Sequence, residues 1–210
     1  SDVAHKNGVK VGCLMSIPES ERVVLTPFAQ GINSKVLYRI TDKDNRNRFK
    51  YAEKLVKLMK YYGIDGLGVN SEFTTNSGVM SHLIEFFELC HKEARKIDWD
   101  FQLYWYDGTN ESGYRDFDQG LGDHNKRMFG RKGREVTDMM FANYGWSENT
   151  LAKSVRKAGE LERNSYDYYA GFDIQARGVK NVNWKDLLNH KISIGFWGAH
   201  SQSLIHQSAT

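Results

Sequence analysis

The stretch YYGIDGLGVNSEF, residues 61–73, decides the fold because it begins as an apolar strand and ends on Asn70 and Glu72. Side chains two residues apart in a strand point to the same face, so Asn70 and Glu72 share a face with Gly66 and Gly68. The apolar side chains occupy the opposite face, which suits packing against helices. This pattern predicts a strand that carries an amide and a carboxyl into a cavity. Spacing alone also allows the ordinary alternative, in which Asn70 begins a turn and Glu72 is a solvated loop carboxylate.

The remainder of the chain alternates short apolar strands with amphipathic helices. Strands are predicted at residues 9–15, 64–70, 101–106, 137–144, 167–174 and 192–197, with a weaker candidate at 36–40. Two helical stripes consist of Phe49, Ala52, Leu55, Val56, Met59 and Tyr62, and of Met80, Leu83, Ile84, Phe87, Cys90 and Ala94. Ser147 and Asn183 are predicted to cap two further helices at their N-termini. Such alternation predicts a parallel sheet covered by helices.

Two α/β folds satisfy this alternation, an open doubly wound sheet and a closed barrel. A doubly wound dinucleotide-binding sheet requires a glycine-rich loop between strand and helix, whereas the glycines of GIDGLG lie inside a strand. In a barrel the chemistry gathers where the strands end. Polar and aromatic residues occupy these ends: Asn70, Glu72, Tyr106, Asp107, Asn143, Tyr144, Asp173 and Trp197. We therefore predict an α/β fold of the TIM (β/α)8 type, with residues 1–210 as a single catalytic barrel domain whose first strand lies upstream.

Composition excludes several classes of function. The chain has 210 residues and a formal net charge of +3, and its local basic run is short: Lys126, Arg127, Arg131, Lys132 and Arg134. Such a run is typical of a solvated loop, and no apolar stretch approaches the ~20 residues of a membrane span. The two cysteines are too few for a disulfide framework, and the seven histidines show no zinc-binding spacing. We expect no nucleic-acid partner, no membrane insertion, no cofactor and no metal.

An amide and an acid two residues apart suit one kind of glycoside cleavage. Most glycosidases place two carboxylates beside the bond, but the second group here is an amide. An amide is a poor nucleophile, yet it can orient the 2-acetamido group of an N-acetylglucosamine (GlcNAc) unit, which then attacks as an internal nucleophile. In this hypothesis Glu72 protonates the leaving oxygen and later accepts a proton from water.

The same stretch resembles the catalytic strand of the glycoside hydrolase family 85 endo-β-N-acetylglucosaminidases, in which a Tyr-Gly-Phe-Asp-Gly run leads to Asn-x-Glu. Further segments resemble the family in the same order: AHKNGVKVGCLM, YWYDGTNESGYRDFDQGLGDHN, MMFANYGW and YYAGFDIQARG. Residues 16–48 have no counterpart. The resemblance implies a TIM barrel that hydrolyses the GlcNAc-β1,4-GlcNAc bond of the N-glycan core with retention of configuration. N-linked glycans or glycoproteins are therefore the implied partners.

The resemblance also implies roles for individual residues. Asn70 orients the acetamido group, Glu72 is the general acid and base, and Tyr106 donates a hydrogen bond near the developing oxazoline. The implied sugar cleft is lined by Trp105, Tyr144 and Trp146, with Phe117 in place of a family tryptophan. Their positions at strand ends add Asp107, Asn143, Asp173 and Trp197 to the substrate-binding residues. For Asp107 the alternative is a structural role.

Two alternatives differ from this hypothesis. A barrel could bind such glycans without cutting them, although a binding module has no need of the proton donor Glu72. The related family 18 chitinases and endoglycosidases share the barrel and the assisted mechanism, but their strand reads Asp-x-x-Asp-x-Asp-x-Glu. Gly68 and Asn70 replace the two middle aspartates here, which argues against that family.

Overall fold

A computed structural model describes residues 2–17, 37, 39–117, 119–174 and 184–198. Within these ranges six parallel strands form one sheet: β1 (Gly12–Ile17), β2 (Gly66–Ser71), β3 (Gln102–Tyr106), β6 (Met139–Phe141), β7 (Tyr168–Asp173) and β8 (Ser193–Trp197). Two short strands, β4 (Gly130–Arg131) and β5 (Arg134–Glu135), form a separate antiparallel hairpin. The predicted strands of the sheet are thus confirmed in number and place, apart from the weak one.

Helices separate the strands of the sheet. They are α1 (Asp2–Lys6), α2 (Ala52–Tyr61), α3 (Ser77–Lys96), α4 (Lys126–Phe129), α5 (Glu148–Glu160) and α6 (Trp184–Leu188), with a 3-10 turn at Ser165–Asp167. Ser147 caps α5 in a reciprocal capping box with Thr150, which confirms its prediction. The short helix α6 is also confirmed, while Asn183, its predicted cap, lies outside the described residues. Within the described ranges, no helix combines the length and the apolar character needed to cross a bilayer.

The order of the strands identifies the type of sheet. It runs β1-β2-β3-β6-β7-β8, so every strand lies beside the next one of the sheet in chain order. A doubly wound sheet reverses its direction of winding at a switch point, whereas a (β/α) barrel continues in one direction. The observed order confirms an α/β fold with barrel-type winding.

The hydrophobic core lies between the outer face of this sheet and the helices. On β3 the outward side chains of Leu103 and Trp105 are completely buried, as is Met140 on β6. They face a layer that includes the buried side chains of Leu83 and Phe87 on α3. Because this layer buries one face of each strand, the alternate residues are left to the inner face.

The weak strand predicted at residues 36–40 is wrong where the structure describes it. Leu37, Arg39 and Ile40 are helical, and the backbone N–H of Thr41 donates to the Leu37 carbonyl at 3.2 Å. Val36 and Tyr38 lie outside the described residues. Leu37 is buried in the core, and a short apolar run of this kind fits a buried helical turn as well as a strand.

Glycines on the inner face make room for an aromatic ring. A Cβ atom on Gly171 of β7 would lie 2.0 Å from the Ala142 carbonyl oxygen and 2.7 Å from the Phe141 ring. A Cβ atom on Gly195 of β8 would lie 2.2 Å from the same ring. The close approach of Phe141 to β7 and β8 therefore depends on the absence of side chains at both positions.

We predict opposite effects for two glycine-to-alanine substitutions. Gly171→Ala should lower the free energy of unfolding by about 1–3 kcal/mol, because the methyl group overlaps backbone and ring atoms. Gly159→Ala in α5 has no atom within 4 Å of its new Cβ, so it should raise the free energy by up to about 1 kcal/mol through helix propensity. Denaturant titration of both variants measures the two changes. Equal stability of the two variants would contradict the packing around Phe141.

Candidate active site

The end of β2 presents Asn70 and Glu72 on the open face of the sheet. Leu67, Val69 and Ser71 are buried against the helical side, whereas Asn70 and Glu72 are half-buried. The alternation continues past the strand, because Phe73 is buried again. Within the described part of the chain, neither the Asn70 amide nor the Glu72 carboxyl takes part in a hydrogen bond or ion pair. Both polar groups are therefore available to a ligand.

A cavity of about 390 Å³ lies on the inner face of the sheet. Asn70, Tyr106 and Trp197 are among its lining residues, and Glu72 follows Asn70 directly beyond the end of the strand. Most of the remaining lining is apolar or aromatic: Leu14, Tyr104, Met139, Phe141, Tyr169, Ile194 and Phe196. Cavities of this size and mixture hold small organic ligands, and an apolar wall with a few polar groups suits the faces and hydroxyls of a sugar ring.

Tyr106 stands at the centre of an aromatic group at the end of β3. Its hydroxyl donates to Asn143 Oδ1 at 2.6 Å, which fixes the direction of the ring. The rings of Phe117, Phe141 and Tyr144 each lie 6.2 Å from the Tyr106 ring, centroid to centroid. The structure thus brings together Tyr106 and three of the predicted substrate-binding residues, which come from separate segments of the chain.

The lower part of the cavity is closed by Tyr104, two residues before Tyr106 on the same face of β3. A Cβ atom on Gly12 or Gly66 would lie 3.0 or 2.8 Å from the Tyr104 ring, so the ring rests directly on these two glycines. Burial, and to a smaller extent the nearby Asp138 carboxylate, raises the pKa of Tyr104 to about 12. The Tyr104 phenol therefore remains neutral at physiological pH.

Four aromatic lining residues were not predicted from the sequence, namely Tyr104, Phe141, Tyr169 and Phe196. For the first three the signal was present in the alternation of the strands. Tyr104 precedes Tyr106 by two residues, and Phe141 precedes Asn143 by two residues, so each shares a face with a residue that was identified.

Trp105, which is predicted to line the sugar cleft, is among the lining residues of the cavity, but its indole packs toward the core. The side chain is completely buried, and its ring makes edge-to-face contacts with Phe73 at 6.4 Å and Phe87 at 6.2 Å. The physical reason is strand alternation, because the neighbouring Tyr106 occupies the inner face and Trp105 must point to the helices.

Asp107 is also buried rather than open to a sugar. Both of its carboxylate oxygens accept a hydrogen bond from Asn125 Nδ2 at 2.9 Å, and Asn125 is itself completely buried. The backbone N–H of Asp107 donates to the Phe141 carbonyl at 2.8 Å. These contacts favour the structural alternative, in which Asp107 holds the loop after β3, over a direct role in substrate binding.

Trp146 packs on the core side of β7, not in the predicted cleft. Its Nε1 donates to the Gly171 carbonyl at 2.9 Å, and its ring lies 5.5 Å from the buried ring of Phe172. Asp173 and Trp197 are in register at the ends of β7 and β8, and Trp197 lines the cavity. Trp197 therefore lines the same cavity as Asn70, whereas Trp146 is not among its lining residues.

A carboxyl and an aromatic wall at the ends of parallel barrel strands are typical of glycoside hydrolases. The sequence pattern of glycosyl hydrolase family 85 matches residues 1–208. The chain therefore belongs to glycosyl hydrolase family 85, which confirms the resemblance and decides against the family 18 alternative.

Relatives with described activities support the same grouping. The cytosolic endo-β-N-acetylglucosaminidase of Homo sapiens is 24% identical over 178 residues, which cover 85% of this chain and 21% of the human protein. The cytosolic endo-β-N-acetylglucosaminidase 1 of Arabidopsis thaliana is 30% identical over 179 residues, which cover 85% of this chain and 23% of the plant protein. The chain thus spans about a fifth of the length of these relatives.

A solved structure has the same fold. The glycoside hydrolase domain of Endo-D from Streptococcus pneumoniae R6 superposes with a TM-score of 0.81 at 24% identity, covering 97% of this chain and 32% of that one. This similarity confirms the barrel-type architecture that the strand order indicates.

We predict that Asp107→Asn lowers the free energy of unfolding by about 1–3 kcal/mol, because an amide in place of the carboxylate cannot accept both contacts from Asn125. Asp123→Asn is the matched control, since the Asp123 carboxylate is exposed and pairs with Lys126 and Lys157 on the surface. This control should change stability little. Thermal and denaturant unfolding measure both variants, and a control as destabilised as Asp107→Asn would refute the assigned role.

Proposed function

We propose that the protein is a retaining endo-β-N-acetylglucosaminidase that hydrolyses the GlcNAc-β1,4-GlcNAc bond in the core of N-linked glycans. The observation that carries the proposal is that Asn70 and Tyr106 line one cavity, with Glu72 two residues after Asn70 on the same face. Membership of family 85 and the names of the relatives support it.

In the proposed reaction the substrate supplies its own nucleophile. The Asn70 side-chain oxygen accepts a hydrogen bond from the acetamido N–H, which turns the acetamido oxygen toward the anomeric carbon. That oxygen attacks, the ring closes to an oxazolinium ion that keeps the N–H proton, and Glu72 donates a proton to the departing sugar oxygen. Glu72 then removes a proton from water, which opens the oxazoline at the anomeric carbon. Two inversions leave the configuration retained.

Tyr106 and the aromatic rings around it contact the sugar in this proposed reaction. The bond to Asn143 fixes the Tyr106 hydroxyl beside the cavity, where it can contact the acetamido group. Phe117, Tyr144 and Trp197 supply apolar surface for the C–H face of a sugar. With water displaced from such a wall, the hydrogen bonds to the acetamido group become stronger than they are in solution.

The alternative of a glycan-binding barrel without catalysis is less well supported. Binding alone would use the aromatic wall and hydroxyl-bonding groups, whereas the Glu72 carboxyl, which has no hydrogen-bond partner among the described residues, adds a proton donor that recognition does not require. Incubation of the full-length protein with a high-mannose glycopeptide separates the two. Mass spectrometry should find a released glycan that ends in one GlcNAc and a peptide that retains the other. Binding of the glycopeptide without release would favour the alternative.

We predict that Asn70→Ala and Glu72→Gln fail in different ways. Glu72→Gln should lower the rate of hydrolysis by about 10² to 10⁴, since the proton donor is lost, and should also lose activity with a preformed sugar oxazoline. Asn70→Ala should lose almost all hydrolysis yet still use the oxazoline as donor, because ring closure is already complete. Release of glycan and transfer of the oxazoline, each followed by chromatography, measure the two activities.

Glu53→Gln on the exposed surface of α2 is the control for the loss of a carboxylate, and it should retain both activities. Wild-type rates of hydrolysis by Glu72→Gln would end the proposal that Glu72 is the acid and base.

A further inference from the structure

The chain on either side of Glu72 is bonded to a single buried hydroxyl. Thr109 is 1% exposed, and its Oγ1 lies 2.9 Å from the Ser71 carbonyl oxygen and 2.8 Å from the Phe73 carbonyl oxygen. The same oxygen accepts a longer hydrogen bond, 3.4 Å, from the Phe73 N–H. The hydroxyl has one proton, so it donates to one of these carbonyls at a time. Donation to the Ser71 carbonyl together with acceptance from the Phe73 N–H joins this side chain to the backbone on both sides of Glu72.

A second set of contacts joins this loop to the end of β2. The Ser71 hydroxyl donates to the Tyr106 carbonyl oxygen and accepts bonds of 3.4 Å from the N–H groups of Gly108 and Thr109. A Cβ atom on Gly108 would lie 2.4 Å from the Ser71 carbonyl oxygen, so this close packing requires glycine. The side chain of Ser71, the residue before Glu72, is therefore hydrogen-bonded to the backbone at and just after Tyr106.

These bonds matter because the Glu72 side chain makes no hydrogen bond of its own to the described residues. Its position depends on the backbone of residues 71–73, where Ser71 and Phe73 are buried and Glu72 is directed to the other side. A general acid must lie within hydrogen-bond distance of the atom that it protonates, and a displacement of about 1 Å can cost about 10²-fold in rate.

We infer that Thr109 is a positioning residue, whose hydroxyl holds the backbone on both sides of Glu72 and so sets the carboxyl against Tyr106 and the cavity. The inference rests on the proposed function of Glu72 as the general acid and base. Thr109 itself is buried and is not among the residues that line the cavity.

The test compares threonine-to-valine substitutions at two buried sites in the full-length protein. Thr109→Val preserves the shape of the side chain and removes the hydroxyl, while Thr109→Ser retains the hydroxyl. Thr137→Val is the matched control, because Thr137 is 0% exposed and its hydroxyl also donates to a backbone carbonyl, that of Met128 at 3.1 Å. Thr137 precedes β6 at the opposite end of the strands from Glu72.

Thr109→Val should lower kcat for glycopeptide hydrolysis by about 10- to 10²-fold with little change in KM, since the acid is displaced while the sugar-binding wall is intact. It should also lose activity with the preformed oxazoline. The same loss is expected for Glu72→Gln and is not expected for Asn70→Ala. Thr109→Ser should restore most of the activity. Thr137→Val should lose stability to a similar degree and keep the wild-type kcat.

Equal kcat values for Thr109→Val and Thr137→Val would overturn the inference. If Thr109→Val does not fold, Ser71→Ala, which removes the hydroxyl bonded to Tyr106, provides the same comparison with the same expectation.

If the wild type releases no glycan, the proposed function is wrong, and crystal structures of the wild type and Thr109→Val then decide the positioning role. An unchanged position of the Glu72 carboxyl in the variant would contradict it.

Discussion

The burial of one face of every strand beneath the helices is the constraint on which the site depends. On β2 and β3 the buried side chains of Leu67, Val69, Leu103 and Trp105 pack against this layer. Because side chains alternate along a strand, the residues between them must face the cavity. The free energy of the core thereby determines which residues face the cavity. If the pairing register of β2 shifted by one residue, Val69 would face the cavity and Asn70 would face the core. Both the core packing and the site would be disrupted.

Much of the fold could be predicted from the sequence because its strong signals are local. The apolar strands, the cap at Ser147 and the shared face of Asn70 and Glu72 follow from periodicity and capping chemistry alone. The run around Leu37 was too short for periodicity to separate a strand from a buried helical turn. Its helical form follows from contacts with the rest of the core.

The site was predicted less completely than the fold, for two separate reasons. Trp105 and Tyr106 are adjacent in a strand, so they cannot both face the cavity, and the buried Leu103 shows which one must point outward. Asp107 and Trp146 lie beyond strand ends, where alternation gives no direction. Their partners, Asn125 and Phe172, are distant in the chain, and no pattern within a single segment identifies such pairs.

The ring of Tyr104, lying across Gly12 and Gly66, has a consequence for the depth of the cavity. Gly12 and Gly66 are the first residues of β1 and β2, so the ring fills the inner face at the end of these strands opposite Asn70. A ligand that contacts Asn70 is therefore limited in how far it extends along β1 and β2. A smaller side chain at position 104 would deepen the cavity in that direction.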